Sequence, residues 1–114
     1  MILKTRRYSM DIMIVEDDKH LAKMMETHLV DKGLSVFVTK VFTEIDQQFI
    51  NIKPRLLILD INLPTYSGFY WCEQIRHMSD VPILFISSRN EDTDKIRGFG
   101  SGADDYIEKP FSID

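Results

Sequence analysis

Arg55-Leu56-Leu57-Ile58-Leu59-Asp60 runs into Ile61-Asn62-Leu63-Pro64: an unbroken aliphatic stretch ends on one carboxylate and opens into a loop. A run without polar alternation is the pattern of a strand buried on both faces of its sheet. Two other stretches repeat it, Ile12-Met13-Ile14-Val15 ending in Glu16-Asp17-Asp18, and Ile83-Leu84-Phe85-Ile86 ending in Ser87. The segment Ser35 to Thr39 is shorter and flanked by polar residues, so it reads as an edge strand, while Tyr106-Ile107 leads into Lys109-Pro110. The expected strands are Asp11 to Val15, Ser35 to Thr39, Arg55 to Leu59, Pro82 to Ile86 and Asp105 to Ile107.

Helical periodicity fills the intervals. Leu21, Met24, Met25 and Leu29 recur at helical spacing with Leu29 toward the sheet, and Gly33 stands where a C-cap is expected. A second helix spans Thr43 to Asn51 with Ile45, Phe49 and Ile52 inward, before Pro54 opens the next strand. A third runs from Gly68 to Met78 with Trp71, Cys72 and Ile75 on one side, its aromatics serving packing. Strands alternating with helices predict an α/β fold, a parallel sheet covered on both faces. The fourth helix, Glu91 to Ser101, is followed closely by Gly102 and itself holds Gly98 and Gly100. Each glycine inside a helix costs about 0.5–1 kcal/mol relative to alanine. Either the helix stops early with Gly102 in a turn, or it is marginal so that a signal can move it.

At 114 residues the chain is one domain. Its net charge of −4 argues against a grip on DNA by this domain, because such binding neutralises phosphates with clustered Lys and Arg. Cys72 is the single cysteine, which fits a reducing compartment and reads as a small apolar helix residue. No apolar run approaches the ~20 residues of a membrane span. Residues 1–10 carry Lys4, Arg6 and Arg7 and are expected to form an N-terminal extension ahead of a domain over 11–114. After Phe111 only Ser112, Ile113 and Asp114 remain. The expected fold lacks its last helix there, through truncation or because a partner covers the surface.

Groups ending different strands of an open parallel sheet converge on one crevice. Here that brings together Glu16, Asp17, Asp60, Ser87 and Lys109. Crowded carboxylates call for a cation, and hard oxygen ligands beside a phosphate suit magnesium. Asp60 is the candidate nucleophile, since a screened carboxylate can accept a phosphoryl group. Glu16 and Asp17 read either as metal ligands or as acids at a helix N-terminus, and Asp18 suits the capping role. Ser87 is the candidate donor to a phosphoryl oxygen, with Ser88 beside it as a competitor. Lys109 precedes Pro110, and its ammonium suits a phosphate that comes and goes.

Glu16-Asp17, Asp60 with Leu63-Pro64 and Gly68, Ser87, and Gly102-Ala103-Asp104-Asp105-Tyr106-Ile107-Glu108-Lys109-Pro110-Phe111 together resemble the receiver domain of two-component response regulators. The last segment is most similar to receivers of the winged-helix (OmpR/PhoB-like) transcription-factor subfamily. Phe69-Tyr70-Trp71-Cys72 and Ile86-Ser87-Ser88-Arg89 resemble bacitracin and cell-envelope resistance regulators. The resemblance implies a flavodoxin-like, doubly wound five-stranded sheet in the order 2-1-3-4-5. It implies phosphorylation of Asp60 by a sensor histidine kinase in the cytoplasm of a bacterium. It implies Mg2+ held by Glu16, Asp17, Asp60 and the Asn62 backbone carbonyl, and a switch pair, Ser87 and Tyr106, that moves the face of the fourth helix and fifth strand. Asn62 and Arg89 would tune the lifetime of the phosphoryl group. Homodimers would form through the fourth helix, fifth strand and fifth helix, and DNA would be met only through a C-terminal domain absent here. Such a domain catalyses nothing beyond its own phosphorylation and dephosphorylation.

Two enzymatic or cofactor readings fit less well. A haloacid-dehalogenase-type phosphatase needs a general-acid aspartate two residues after its nucleophile, where this chain has Asn62. An FMN binder needs a hydroxyl- and glycine-rich loop after the first strand, where Glu16-Asp17-Asp18 would repel the phosphate. The alternative that stays open is a phosphorylation-independent adaptor of the same fold.

Overall fold

A computed structural model describes residues 10–87, 97 and 100–109. Its elements run β1 (Met10–Val15), α1 (Lys19–Asp31), β2 (Val36–Val38), α2 (Ile45–Ile52), β3 (Pro54–Asp60), α3 (Gly68–Arg76), β4 (Ile83–Ser87) and β5 (Asp105–Glu108). All strand pairings are parallel, and the five strands lie in the order β2-β1-β3-β4-β5. The edge position expected for the short second strand is borne out.

The unbroken apolar runs are explained by burial on both faces, because neighbouring residues of a strand point to opposite sides. Met13 and Val15 of β1, Leu57 and Leu59 of β3, and Ile83 and Phe85 of β4 enter one core with Ile45 and Phe49 of α2 and Phe69, Trp71, Cys72 and Ile75 of α3. Their alternates, Ile12, Ile14, Ile58 and Ile86, enter the other core with Met25 of α1, against which Leu21 and Leu29 pack. Helices thus cover both faces, and Leu29 lies on the sheet side as its spacing implied.

Local differences have local causes. Met10 was expected in the extension, but it is the first residue of β1, paired with Pro54 of β3. Met24 was grouped with the inward residues of α1, but it is exposed, and Ala22 takes its place in the buried stripe beside Met25. A 100° step per residue puts 21, 25 and 29 on the sheet side with 22 at its margin and turns 24 outward. The second helix starts at Ile45 rather than Thr43, since Glu44 has φ −135° and makes no capping bond with its side chain. At α1 the sequence signals hold at both ends: Asp18 accepts the Leu21 N–H at 3.1 Å, and Gly33 follows the helix with φ +92°. Gly100 is helical and Gly102 stands in the turn after it at φ +107°. Most of the expected fourth helix, with Ser88, Arg89, Pro110 and residues 1–9 and 111–114, lies outside the described residues. No helix among those described is long and apolar enough to cross a membrane.

Candidate functional site

Each site residue sits at a carboxyl strand end, where the parallel arrangement delivers it. Glu16 follows β1, Asp60 ends β3, Ser87 ends β4 and Lys109 follows β5. Because β1 and β4 flank β3, Glu16 and Ser87 stand on either side of Asp60. Glu16, Asp60 and Ser87 are buried, whereas Asp17 is exposed. One carboxylate oxygen from each of Glu16, Asp17 and Asp60 lies within 4.8 Å of the other two.

Lys109 reaches into this cluster. Its Nζ lies 2.6 Å from Glu16 Oε1 and 3.4 Å from Asp60 Oδ2. The approach to Glu16 Oε1 is a close ion pair, so Lys109 is the partner of this buried oxygen. The other oxygen, Oε2, accepts the Asp18 N–H at 3.0 Å, which fixes the carboxylate. The Asn62 N–H points to Asp60 Oδ1 at 3.4 Å. Asn62 itself is exposed.

One ammonium does not balance three carboxylates. Burial, followed by the charge and contact of Glu16, pushes the Asp60 carboxyl up to about 7, although Lys109 and the Asn62 N–H pull it down. Burial disfavours the charge of Lys109, but contact with Glu16 and the charge of Asp60 outweigh it and leave the ammonium more basic than usual. Three converging carboxylates and a carboxyl that resists ionisation both fit a bound hard divalent cation. The three donors are all oxygen and fewer than an octahedral ion takes, which suits a magnesium that keeps several waters.

The two residues expected to form a switch lie nearby. Tyr106 of β5 is half-buried and packs against the core shared by α2 and α3. The Ser87 carbonyl accepts the Lys109 N–H at 2.6 Å, linking the ends of β4 and β5. A cavity of about 300 Å³ opens beside the site between α1 and the segment after β2, sharing Glu16 and Asp17 as walls but not Asp60.

Gly68 was singled out in the sequence only as a helix start and motif member, yet it shapes the site. Its N–H donates to the Ile61 carbonyl at 2.8 Å. A Cβ there would overlap the Asp60 carbonyl oxygen and come 2.9 Å from Ile61 Cα. Backbone cannot step aside as a flexible side chain can. Gly68→Ala is therefore expected to cost about 2–4 kcal/mol and to displace the Asp60 loop. Thermal unfolding of the variant, lowered by several degrees, checks this; an unchanged midpoint contradicts it.

Comparison with known proteins agrees with the geometry. Residues 12–114 match the family model described as the response regulator receiver domain. The transcriptional regulatory protein YxdJ of Bacillus subtilis is 46% identical over 103 residues, covering 90% of this chain and 45% of YxdJ. The sensory transduction protein BceR of Halalkalibacterium halodurans is 43% identical over 103 residues, with 90% and 45% covered. The chain thus spans less than half the length of these relatives. Among solved structures, the N-terminal domain of the nisin resistance regulator NsrR, described as a lantibiotic response regulator, superposes with a TM-score of 0.81 at 38% identity, covering 90% of this chain and 87% of that one.

Proposed function

The chain belongs to the response regulator receiver domain family, and on that premise we propose that Asp60 accepts a phosphoryl group from the phosphohistidine of a sensor kinase. The observation that carries the reading is the convergence of buried Glu16 and Asp60 with exposed Asp17 and partly buried Lys109 at the carboxyl ends of the strands. An Asp60 oxygen attacks the phosphorus, the P–N bond breaks, and the electron pair leaves on the imidazole nitrogen, which takes a proton from water. Lys109 follows the negative charge from the carboxylate to the phosphoryl oxygens, and the Ser87 hydroxyl donates to one of them. Glu16, Asp17, Asp60 and the Asn62 carbonyl would hold Mg2+, which supplies the positive charge that lets two anions approach.

Ser87 and Tyr106 form the switch in this reading. Drawing Ser87 toward the phosphoryl group vacates space at the end of β4, and the Tyr106 ring on the adjacent strand turns into it, altering the face built around β5. Asn62 and Arg89 flank the acceptor and tune hydrolysis of the aspartyl phosphate. The receiver starts with Met10 at the head of β1 and the residues before it make an extension. In the full-length protein the changed face supports a homodimer and controls a C-terminal DNA-binding domain, as relatives called transcriptional regulatory proteins suggest. The domain works in the cytoplasm, where a kinase can be loaded from ATP, and turns over no other substrate.

Incubation with acetyl phosphate tests the reading. Intact mass is expected to show one added phosphoryl group that requires magnesium and is absent in Asp60→Asn. No gain in the wild-type chain, verified as folded by circular dichroism, favours the phosphorylation-independent adaptor.

A further inference from the structure

Arg76 is the last residue of α3, and only one-fifth of its side chain is exposed. Its Nε donates to the Gly102 carbonyl at 2.7 Å, and its Nη2 reaches Asp104 Oδ2 at 2.7 Å. Its Nη1 donates to the carbonyls of Ser79, at 3.3 Å, and Val81. The same Asp104 oxygen accepts the Ile83 N–H at 2.8 Å, and the Asp104 N–H donates to the Ile83 carbonyl at 2.9 Å. One guanidinium thus ties the end of α3 to the first residue of β4 and to the turn that launches β5.

That turn needs the tie. β5 has four residues, pairs with β4 and lies at the sheet edge, so a tie at its entry reinforces the register that its pairing with β4 sets. A slip by one residue would exchange the faces of Tyr106 and Ile107 and withdraw Lys109 from Glu16 and Asp60. The other end of α3 is Gly68, packed on the Asp60 backbone. The helix is therefore a strut of about 14 Å between the acceptor and the entry to the lysine-bearing strand.

We propose that Arg76 is a positioning residue for phosphotransfer, pinning β5 through Gly102 and Asp104 so that Lys109 reaches Asp60. This role rests on the acceptor reading of Asp60. Lysine cannot replace arginine here, because a single ammonium lacks the planar fork that meets Gly102, Val81 and Asp104 together.

The test is a double-mutant cycle in the full 114-residue chain, with acetyl phosphate as donor and saturating magnesium. Arg76→Met is expected to slow phosphorylation roughly ten- to hundredfold. In the Lys109→Met background the same substitution is expected to cause no further slowing, whereas damage spread through the fold slows both backgrounds by the same factor and overturns the proposal. An unchanged rate in Arg76→Met also overturns it. If circular dichroism shows Arg76→Met unfolded, Arg76→Lys and Asp104→Asn carry the same cycle, with the same expected non-additivity. A folded wild-type chain that takes up no phosphoryl group refutes the acceptor reading and this role with it. Uptake by wild type with additive losses refutes only the role.

Discussion

Asp60→Asn is expected to abolish phosphorylation and at the same time to stabilise the metal-free domain at neutral pH. The Asp60 carboxyl titrates near 3.8 when unfolded but is pushed up to about 7 in the fold by burial and by Glu16. The folded state therefore holds the proton more tightly. The stability linked to that proton is complete below about pH 4 and is lost as pH rises through 7. Asparagine carries no charge at any pH and escapes this loss. Relative to its difference at pH 4, the variant should gain about 1–3 kcal/mol by pH 7 to 8, less than three full pKa units imply because Lys109 relaxes with its partners. Urea unfolding of both proteins between pH 4 and 8, without magnesium, checks this. Saturating magnesium should close the gap by stabilising the wild type more than the variant. A gap that stays flat with pH would show that Asp60 is not strained by its neighbours.

Lys109→Met is expected to act oppositely on stability. Removing the ammonium leaves the buried carboxylates of Glu16 and Asp60 facing each other without their nearest cation. Breaking one partner of a buried pair costs about 3–5 kcal/mol, reduced here because Asp60 can take up a proton. A loss of about 2–3 kcal/mol in metal-free solution at pH 7 follows. Magnesium should restore much of that stability, since it neutralises the same oxygens. Phosphorylation should not recover, and should stay at least about a hundredfold slower than wild type, because the charge that follows the phosphoryl oxygens is gone. Thermal melts with and without magnesium, beside the time course of phosphoryl uptake, separate the two roles. Recovery of both properties in magnesium would contradict them.

The strands were legible because burial on both faces leaves an unbroken aliphatic signature, as in Leu56-Leu57-Ile58-Leu59. Their order followed from the family resemblance rather than from the runs, since periodicity says nothing about neighbours. Glu16, Asp17, Asp60, Ser87 and Lys109 were legible as a set because a parallel sheet brings its carboxyl ends together whatever their separation in sequence. Met24 misled because its spacing fits a wide apolar stripe, and only packing shows that Ala22 fills the groove instead. The contact made by Gly68, and Arg76 altogether, were hidden for another reason. A missing Cβ against the Asp60 carbonyl and a guanidinium shared among Gly102, Val81 and Asp104 are relations across space, and no local pattern announces them. Arg76 in particular resembles a solvated helix-end arginine that favours the dipole.

Borohydride reduction of the chain after acetyl phosphate treatment, followed by peptide mapping, reads the acceptor directly. An aspartyl phosphate is reduced to homoserine, and homoserine is expected at position 60 alone, only when magnesium was present. Homoserine at position 17, phosphate retained on Ser87, or an unmodified Asp60 peptide from a folded, magnesium-treated sample would contradict the assignment of Asp60 as the phosphoacceptor.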